Sequence, residues 1–501
     1  MISTVLVANR GEIACRILRA CNEAGLASIA IYADNDAQSL FVELATKSVR
    51  LEGDSITETY LNQQQILKIA RENGADAIHP GFGFLSERAD FAQAVIDSGI
   101  TWIGPSAMAI EKMGDKMTAR TTMKAAGVPV IPGEEIEQDD AEEALEAIRE
   151  ASQRVGFPLL LKASSGGGGK GMRVVNMPEE LDDAVSGARR EAIAAFGDGR
   201  VYVERLLTGS KHVEIQILAD RHGRTIHLGE RECSVQRRHQ KVFEEAPCPT
   251  MTPQLRERMG QAAILAAQAV DYVGAGTVEF LLASSGEFFF LEMNTRIQVE
   301  HPVTEMVTGV DIVREQLRIA SGEPMSCSEL NIRGHSIEVR LYAEDATNNF
   351  LPAIGPLVVF EPPVGPGVRL DTGVRQGDEV TPNYDPMLAK LVVWAPSREE
   401  ALQKMRRALD EFVVLGTTTN IGFLRELCDQ EDVVNGSTDT TLIDRVWPNG
   451  WKPMIPQALV EAGLMVAGIS ESSGKHRKTD SASSAIEGPV SPFSTISRRF
   501  P

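Results

Sequence analysis

Two strand-like segments with a short turn between them each carry a glutamate in an otherwise apolar run. The segments span residues 276–282 and 288–294, and their glutamates are Glu279 and Glu292. The dipeptide Ser285-Gly286 suits a two-residue turn, which would join the segments as a β-hairpin. That turn places Glu279 directly opposite Glu292 on one face of a sheet, because strand side chains alternate between the faces with a period of two.

Two facing carboxylates repel each other, so this hairpin predicts a partner that offsets their charge. Asn294 would lie on the same face, and two carboxylates with an amide oxygen form a ligand set that suits Mg²⁺ or Mn²⁺. Phosphate oxygens and water would complete the coordination shell. The alternative is a register slip of one residue, which would turn the two glutamates to opposite faces.

Four consecutive glycines (166–169) follow a strand-like segment that ends at Lys162. They predict a lid whose bare N–H groups close over phosphates, with a flexible hairpin tip as the alternative. The run is not a Walker A loop, because that motif needs Ser or Thr after the lysine, and Gly171 follows Lys170. Lys162 and Lys116 are the lysines that could offset phosphate charge.

The first 112 residues alternate strand-like and helix-like segments, which predicts a parallel, doubly wound sheet. The turn after the first strand, Ala8-Asn9-Arg10-Gly11, holds one glycine. The loop Gly81-Phe82-Gly83-Phe84 lacks the third glycine of a dinucleotide fingerprint. We therefore expect no nicotinamide cofactor in this region.

The charge and the cysteine content of the chain exclude several kinds of partner and site. The chain has 70 acidic against 50 basic residues, a formal charge of −20, which argues against nucleic acid or a membrane as the main partner. Its 6 cysteines form no CxxC pair, so we expect free thiols and neither a zinc site nor a disulfide scaffold. No long apolar run and no signal-peptide pattern occurs, so we expect a cytoplasmic protein.

A polar segment continues the second strand of the acidic hairpin. Arg296, Gln298 and Glu300 would share one side if the chain stayed extended beyond Asn294. A cation, an amide and a carboxylate beside a metal–phosphate site could bind a small oxyanion next to a general base. A solvent-facing strand edge is the alternative. The basic cluster 233–241 is a further candidate anion site in an otherwise acidic chain.

Ten blocks of sequence occur in order between residues 3 and 446. They are VLVANRGEIACRILRAC, AIHPGFGFLSE, GPSAMAIEKMGDK, LLKASSGGGGKGMRVV, HVEIQILAD, ECSVQRRHQKVFEEAP, GTVEFL, LEMNTRIQVEHPVTEMVTG, RGHSIEVRLYAED and YDPMLAKL. These blocks resemble biotin carboxylase, the ATP-grasp component of acetyl-CoA, propionyl-CoA and pyruvate carboxylases.

The resemblance implies a multidomain fold that combines α/β and α+β parts. A preATP-grasp Rossmann-like domain would span residues 1–112, and an ATP-grasp domain with a glycine-rich lid at about 133–206 would span 113–330. A C-terminal biotin carboxylase domain would span 331–446. The Ser-rich extension 447–501 lies outside the resemblance, and we expect disorder from about residue 470.

The resemblance also implies a reaction and its partners. MgATP (or MnATP) and bicarbonate would carboxylate biotin on a biotin carboxyl carrier protein, by way of carboxyphosphate. This would be the first half-reaction of an acyl-CoA carboxylase, for example acetyl-CoA carboxylase in fatty acid biosynthesis. The Met-Lys-Met biotinylation motif of fused relatives is absent, so we expect a separate carrier and a separate carboxyltransferase subunit, with the chain itself a homodimer.

By motif, the resemblance assigns roles to single residues. The catalytic residues would be Lys241, Arg296, Glu300 as the base that deprotonates bicarbonate, and Arg340 as the partner of the biotin enolate oxygen. ATP would be bound by Lys116, Lys162, Gly168, Gly169, Glu204, Arg205, Leu206, Leu207, His212, Gln236, His239, Glu279 and Glu292. Glu279, Glu292 and Asn294 would bind the metal. Bicarbonate would be bound by Lys241, Arg296, Gln298 and Val299, and biotin by Arg340 and Phe82.

Two positions depart from the family pattern. Phe82 stands where relatives often have tyrosine, so a hydroxyl that could bind biotin is missing, and Ser165 stands where many have a further glycine. Two alternative functions remain open at this point. One is another ATP-grasp ligase of the carbamoyl-phosphate synthetase type, which would consume ammonia. The other is a non-catalytic nucleotide-binding subunit.

Overall fold

The computed structural model describes residues 2–136, 140–163, 173–196, 200–238, 240–327 and 330–453. Three predictions lie outside these residues: the lid glycines Gly168 and Gly169, the placement of His239, and disorder from about residue 470. The elements given below belong to one compact unit, residues 1–450. None of the helices described is long and apolar enough to cross a membrane.

The N-terminal region forms the predicted parallel sheet, in the strand order β3-β2-β1-β4-β5. Val5 and Val7 pack against the helix α1, while Leu6 and Ala8 pack in a second core with α3 and α4, so both faces of the sheet are covered. The strands are β1 (Thr4–Val7), β2 (Ala27–Tyr32), β3 (Lys47–Arg50), β4 (Ala77–His79) and β5 (Thr101–Trp102). The helices are α1 (Gly11–Glu23), α2 (Leu40–Leu44), α3 (Gln63–Glu72), α4 (Ala89–Asp97) and α5 (Ala107–Gly114).

A small antiparallel sheet follows, in the order β6-β9-β7-β8 among the described strands. Leu159 and Leu161 pack against Val201, Val203 and the apolar face of the helix α7. The strands are β6 (Gly133–Ile136), β7 (Leu159–Ala163), β8 (Arg173–Val175) and β9 (Val201–Arg205). The helices are α6 (Lys116–Ala125), α7 (Ala141–Val155) and α8 (Leu181–Phe196). The strands β7 and β8 pair on either side of the glycine run, as predicted.

The largest sheet has eight strands in the order β14-β13-β10-β11-β12-β15-β22-β20. It includes strands from both sides of the predicted boundary at residues 330 and 331. Strands before that boundary are β10 (Lys211–Ala219), β11 (Thr225–Arg237), β12 (Gln240–Ala246), β13 (Gly274–Leu282) and β14 (Phe288–Asn294). The helices are α9 (Pro253–Gln268), α10 (His301–Thr308) and α11 (Ile312–Ala320).

The C-terminal region adds three strands to this sheet and several short elements around it. The strands are β15 (His335–Tyr342), β16 (Glu344–Asp345), β17 (Leu351–Pro352), β18 (Gly355–Pro356), β19 (Val359–Glu361), β20 (Val368–Thr372), β21 (Glu379–Val380), β22 (Met387–Ala395) and β23 (Val413–Leu415). The helices are α12 (Arg398–Glu411), α13 (Ile421–Leu427), α14 (Glu431–Asn435) and α15 (Leu442–Val446).

Candidate active site

The acidic hairpin forms, and Glu279 lies opposite Glu292 as predicted. The predicted two-residue turn is wrong, because the Ala283 N–H donates to the Glu287 carbonyl over 2.8 Å and three residues form the loop. Gly286 in that loop has a φ of +81°, which glycine adopts at little cost. The longer loop alone would shift the register by one residue, but a β-bulge between the Phe280 and Glu279 pairs shifts it back.

The bulge determines what the site face of the hairpin carries. Leu291 and Glu292 are both exposed, whereas Phe290 and Met293 on either side of them are buried. Two consecutive side chains therefore lie on one face, as the extra residue of a bulge allows. The apolar side chain of Leu291 consequently lies beside the carboxylate of Glu292.

Four charged residues form a row across four neighbouring strands. Glu292 on β14 pairs with Glu279 on β13, and Glu279 pairs with Glu214 on β10. Glu214 in turn pairs with Arg231 on β11 and accepts a hydrogen bond from its Nε. Glu214 and Arg231 are both fully buried, so this row begins in the sheet interior and ends at the exposed Glu292.

Lys241, on β12, joins three carboxylates. Its Nζ donates to Glu214 over 2.5 Å, to Glu279 over 2.9 Å and to Glu300 over 2.6 Å. Burial alone would lower the pKa of Lys241, but the three carboxylates outweigh burial and raise that pKa well above its ordinary value. Lys241 is therefore a permanent cation in the centre of the site.

Glu279 is the most heavily contacted of these carboxylates. Its Oε1 accepts from Asn294 over 2.9 Å and from Gln298 over 2.7 Å, and its Oε2 lies 2.8 Å from His212 Nε2. Burial would raise the pKa of Glu279, but Lys241 and His212 hold it well below its usual range. Gln236 donates to His212 Nδ1 over 2.9 Å, so it fixes the ring beside Glu279.

Glu292 differs from Glu279 both in its partners and in the direction of its pKa shift. Among the described residues, no hydrogen bond or ion pair to its carboxylate is found. Although the side chain is exposed, partial desolvation by the surrounding protein, together with the charge of Glu279, raises its pKa. The charge of the exposed Lys116 also acts on Glu292, so Lys116 lies on this side of the site. Two opposed carboxylates, one of which has no hydrogen-bond or ion-pair partner in the described part of the chain, fit a divalent cation by their chemistry.

Asn294 lies on the same face as Glu279, as predicted, and Arg296 contacts it from the segment that follows the strand. The Asn294 amide donates to Glu279 and its oxygen accepts from Arg296 over 2.8 Å. Arg296 Nε donates to Glu87 over 2.8 Å, and the Thr295 N–H donates to the same carboxylate over 3.3 Å. Glu87, from the loop after β4, thus fixes the direction of Arg296.

The predicted extended continuation beyond Asn294 is wrong. The strand β14 ends at Asn294, and Glu300 immediately precedes the helix α10. Gln298 and Glu300 nevertheless both point to the site, because Gln298 Oε1 accepts from Arg231 over 2.8 Å and Glu300 Oε1 accepts from Lys241. The predicted grouping is therefore present, although the backbone geometry behind it differs.

Arg340, on β15, holds the second oxygen of Glu300. Its Nη2 donates to Glu300 over 2.9 Å and its Nε donates to Glu244 over 2.6 Å. Burial would raise the pKa of Glu300, but Lys241, Arg340 and Arg231 lower it far below its ordinary value. Burial raises the pKa of Glu244 to about 7 against the opposing charge of Arg340.

A cleft of about 580 Å³ opens next to Val299, the residue that precedes Glu300. Residues of the N-terminal region, including Phe82, line one side, and Arg340 and Tyr342 line the other. Arg296 and Val299 also border it. The cleft therefore brings Phe82 and Arg340, both predicted to face biotin, to one space.

The remaining residues that are predicted to bind the nucleotide lie on the small sheet and on the segment that follows its strand β9. Lys162 on β7 donates to Glu204 on β9 over 2.7 Å. Arg205, at the end of β9, is exposed, and the Leu206 N–H donates to the Pro158 carbonyl over 3.0 Å. Leu206 and Leu207 lie in the chain that leaves the sheet and are half-buried.

The basic cluster 233–241 is not one anion site. Arg237 donates to Glu344, and Arg238 donates to Asn349 over 2.7 Å, so both are engaged away from the carboxylates. Of the described members of the cluster, Gln236 and Lys241 make hydrogen bonds within the site, and the Cys233 sulfur lies within 4.8 Å of the Glu214 and Glu300 carboxylates.

Four residues of the site were not among the predicted ones: Glu214, Arg231, Glu244 and Glu87. Arg231 donates to five side chains, including Gln298 and Thr304, and so fixes several site residues at once. The strand 211–219 carries a usable signal, because His212, Glu214 and Gln216 alternate with apolar residues and therefore share one face. Nothing in the local sequence points to Glu87 or Arg231.

Three family models match the chain in succession. The model described as biotin carboxylase, N-terminal domain, matches residues 1–110. The carbamoyl-phosphate synthase L chain, ATP binding domain, matches residues 115–328, and the biotin carboxylase C-terminal domain matches residues 338–445.

Two relatives show how far the similarity extends. The biotin carboxylase of a Nostoc species is 48% identical over 444 residues, which cover 88% of this chain and 98% of the relative. The mitochondrial methylcrotonoyl-CoA carboxylase subunit alpha of Dictyostelium discoideum is 46% identical over 503 residues, which cover 99% of this chain and 70% of the relative. The chain spans between 60% and 70% of the length of the methylcrotonoyl-CoA carboxylase subunits that it matches.

A solved structure agrees with both relatives. The biotin carboxylase domain dimer of the Hydrogenobacter thermophilus 2-oxoglutarate carboxylase, in complex with MgADP, ADP and bicarbonate, matches with a TM-score of 0.81. The two chains are 44% identical, and the match covers 89% of this chain and 98% of that one. The predicted resemblance is confirmed, and this chain belongs to the biotin carboxylase family.

Proposed function

We propose that this biotin carboxylase activates bicarbonate with Glu300 and stabilises biotin with Arg340. One observation carries the proposal: Glu300 lies between Lys241 and Arg340, within hydrogen-bond reach of both, beside the pair of opposed carboxylates. The cations that hold this carboxylate can shift their hydrogen bonds to an incoming anion. The alternatives, an ammonia-consuming ligase or an inactive subunit, would not need Arg340 beside the cleft.

The nucleotide occupies the side of the site that carries Glu292. Glu279, Glu292 and Asn294 would hold one or two Mg²⁺ or Mn²⁺ ions, which supply positive charge to the phosphates and polarise the phosphorus that is attacked. Lys116 and Lys162 offset phosphate charge, and Leu291 gives the purine an apolar surface. By family resemblance, Gly168, Gly169 and His239 close over the nucleotide, residues 204–207 contact the adenine edge, and His212 and Gln236 line the site.

Bicarbonate binds to Lys241, Arg296, Gln298 and the backbone of Val299. The low pKa of Glu300 without substrate makes it a weak base, because Lys241 and Arg340 stabilise its ionised form. An anion that accepts hydrogen bonds from Lys241 withdraws that stabilisation, so substrate binding itself raises the pKa of Glu300. Glu300 then removes the bicarbonate proton, and the oxyanion attacks the γ-phosphate to form carboxyphosphate and ADP.

Carboxyphosphate breaks down to CO₂ and phosphate next to the cleft. The released phosphate takes the N1 proton of biotin, the negative charge that develops on the ureido oxygen is stabilised by Arg340, and N1 attacks CO₂. Arginine suits this task because its charge is permanent and its N–H groups have a fixed geometry. Phe82 presents an apolar surface to biotin and has no hydroxyl to donate.

The wider setting of the reaction follows from the family. We place the biotin on a biotin carrier, and transfer from carboxybiotin to an acyl-CoA on a carboxyltransferase, as in acetyl-CoA carboxylase and fatty acid biosynthesis. A homodimer is supported by the dimer of the Hydrogenobacter thermophilus domain. A reducing, cytoplasmic setting is supported by the six cysteines, none of which forms a disulfide.

An ADP-release assay with the purified chain tests the proposal. Free biotin, bicarbonate and MgCl₂ are omitted in turn, and ammonium chloride replaces biotin in a further arm. We expect ADP release to require bicarbonate and Mg²⁺ and to increase with biotin, with [¹⁴C]carboxybiotin formed from labelled bicarbonate. Turnover that responds to ammonium and not to biotin, or nucleotide binding with no turnover, would contradict the proposal.

A further inference from the structure

Lys390, on β22, is the one fully buried lysine among the residues that the structure describes. It pairs directly with Arg340 on the neighbouring strand β15. Its Nζ donates to the Val299 carbonyl oxygen over 2.9 Å. Two paired residues of the sheet therefore contact the same short segment, since Arg340 binds the Glu300 side chain and Lys390 binds the peptide immediately before it.

Two carboxylates offset the charge of Lys390. Nζ lies 2.9 Å from Glu12 Oε1 and 3.7 Å from Asp371 Oδ2. Asp371 is itself fixed by Arg369, which donates to both of its oxygens. Burial would lower the pKa of Lys390, but Glu12 and Asp371 outweigh burial and raise it, so the ammonium stays charged. Lys390 thus has the partners that a buried cation requires.

The segment that Lys390 contacts needs such support. Residues 295–300 lie between β14 and α10 and belong to neither, so no strand or helix fixes their peptide groups. His301 Nδ1 lies 2.7 Å from the Gln298 carbonyl oxygen, and Lys390 binds the next carbonyl along the chain. The carbonyl groups of two successive peptides are therefore bound by side chains. These peptides join Gln298 to Val299 and Val299 to Glu300.

We propose that Lys390 is a positioning residue for the bicarbonate site, because it fixes the peptide that joins Val299 to Glu300. This role rests on the proposed function of Val299 and Glu300. Through that peptide, Lys390 fixes the position of the Val299 backbone that binds bicarbonate. It also fixes the backbone from which the Glu300 side chain extends. Lys390 itself contacts neither bicarbonate nor MgATP. Its neighbours Glu12 and Asp371 keep it charged and in place.

The variant Lys390→Met removes the donor to Val299 while keeping much of the side-chain volume. We expect kcat/KM for bicarbonate in the ADP-release assay to fall by about ten- to a hundredfold, the range for a small displacement of reacting groups. The KM for MgATP should stay within about twofold, because Lys390 contacts none of the residues placed around the nucleotide. A selective loss of this kind is not what a general loss of folded protein would produce.

Two matched variants separate positioning from charge balance. In the double variant Lys390→Met/Glu12→Gln, a cation and an anion leave together, so the cluster keeps its net charge. We expect its thermal unfolding midpoint to recover relative to Lys390→Met, while the bicarbonate defect persists. Glu12→Gln alone keeps the donor to Val299, so kcat/KM for bicarbonate should fall by less than about threefold.

Three outcomes would overturn the role of Lys390. The first is recovery of wild-type kcat/KM for bicarbonate in the double variant, which would trace the single-variant defect to unpaired buried charge. The second is an equal loss for MgATP and bicarbonate, and the third is a Glu12→Gln defect as large as that of Lys390→Met. If Lys390→Met does not fold, the double variant carries the comparison. Wild-type protein without bicarbonate-dependent ADP release would instead contradict the proposed function, and the role of Lys390 with it.

Discussion

Glu300 has to change partners in order to act as a base. In the structure it accepts from Lys241 and Arg340, and these cations, with Arg231, hold its pKa far below the ordinary range. Without a bound anion, the carboxylate would therefore remain ionised but unreactive. In the proposed mechanism, the same two hydrogen bonds keep it in place until bicarbonate competes for Lys241, which would couple binding of the substrate to its activation.

Replacing Glu300 by Gln keeps the shape of the side chain and removes the base. We expect bicarbonate-dependent ADP release to fall by about a hundredfold or more, the usual cost of losing a general base. Stabilisation by MgADP in thermal unfolding should persist, because Glu300 lies on the bicarbonate side of the site. The matched control is Glu315→Gln, a buried carboxylate of the helix α11, which should retain turnover. Near-normal turnover of Glu300→Gln would exclude the base role.

Glu292 predicts a dependence of stability on pH in metal-free protein. Its pKa in the folded chain is raised above the ordinary value of 4.5, so its ionised form is disfavoured by folding. Stability should therefore decrease as the pH rises from 4.5 through the raised pKa. Glu292→Gln removes this decrease, and near neutral pH we expect it to stabilise the metal-free protein by at most about 1 kcal/mol, since the carboxylate is exposed.

Thermal unfolding of both proteins in EDTA, at low and at neutral pH, measures this difference. The variant should also lose the extra stabilisation that wild type gains from MgADP over ADP, because one of the two opposed carboxylates is gone. Lower stability of Glu292→Gln at neutral pH, together with an unchanged response to Mg²⁺, would argue that Glu292 is paired within the protein and binds no cation.

At the level of elements, the contact predicted for the acidic hairpin is correct, but the backbone geometry predicted to produce it is not. The pairing of Glu279 with Glu292 was predictable, because alternation and turn residues are local signals. The three-residue loop and the bulge were not, because each shifts the register by one residue and the two shifts cancel. A single one of them would have separated the glutamates onto different faces.

Other elements show what the sequence could and could not reveal. The extended path through Glu300 was wrong although Pro302 stands in the first turn of α10, a position that proline favours in helices. The strand Lys47–Arg50 went unpredicted because it is a short, charged edge strand. Arg231 gave no local signal, since its partners come from several strands and from α10 and meet only in the folded sheet.

Deleting Leu291 tests the bulge. A regular hairpin would keep Glu292 opposite Glu279, while the apolar side chain would leave the site face. We expect the KM for MgATP to rise by about tenfold, comparable to the loss of a mostly buried leucine contact, with a smaller change in kcat. Leu351→Ala is the control, because Leu351 is a similarly exposed leucine on β17. A thousandfold loss of kcat would instead indicate that the bulge is needed to place Glu292.

Considered as a whole, the molecule brings its chemistry together from three stretches of chain. Phe82 comes from the N-terminal region, Glu300 from the segment before α10, and Arg340 from β15. In the proposed mechanism, the bicarbonate step uses Glu300, and the biotin step uses Phe82 and Arg340. The two half-steps should therefore be separable by mutation.

The variant Arg340→Ala should separate them. Loss of the guanidinium removes one of the two hydrogen bonds that hold Glu300 in place and leaves the one from Lys241, so bicarbonate-dependent ATP hydrolysis should continue at a reduced rate. Carboxybiotin formation should fall by about a hundredfold or more, because the charge on the ureido oxygen loses its partner. Arg407→Ala, at a highly exposed position, is the control. Equal loss of both activities would contradict a role specific to biotin.

The eight-stranded sheet has a practical consequence for anyone who wishes to divide this chain. A fragment cut after residue 330 would retain β12 but lose its neighbour β15, and would expose a central strand edge with Phe243 and Glu245 on it. The complementary fragment would carry Arg340 and Lys390 without the Glu300 side chain and the Val299 carbonyl that they contact. Such pieces would be expected to aggregate during expression, so a soluble truncation has to leave residues 211–395 uninterrupted.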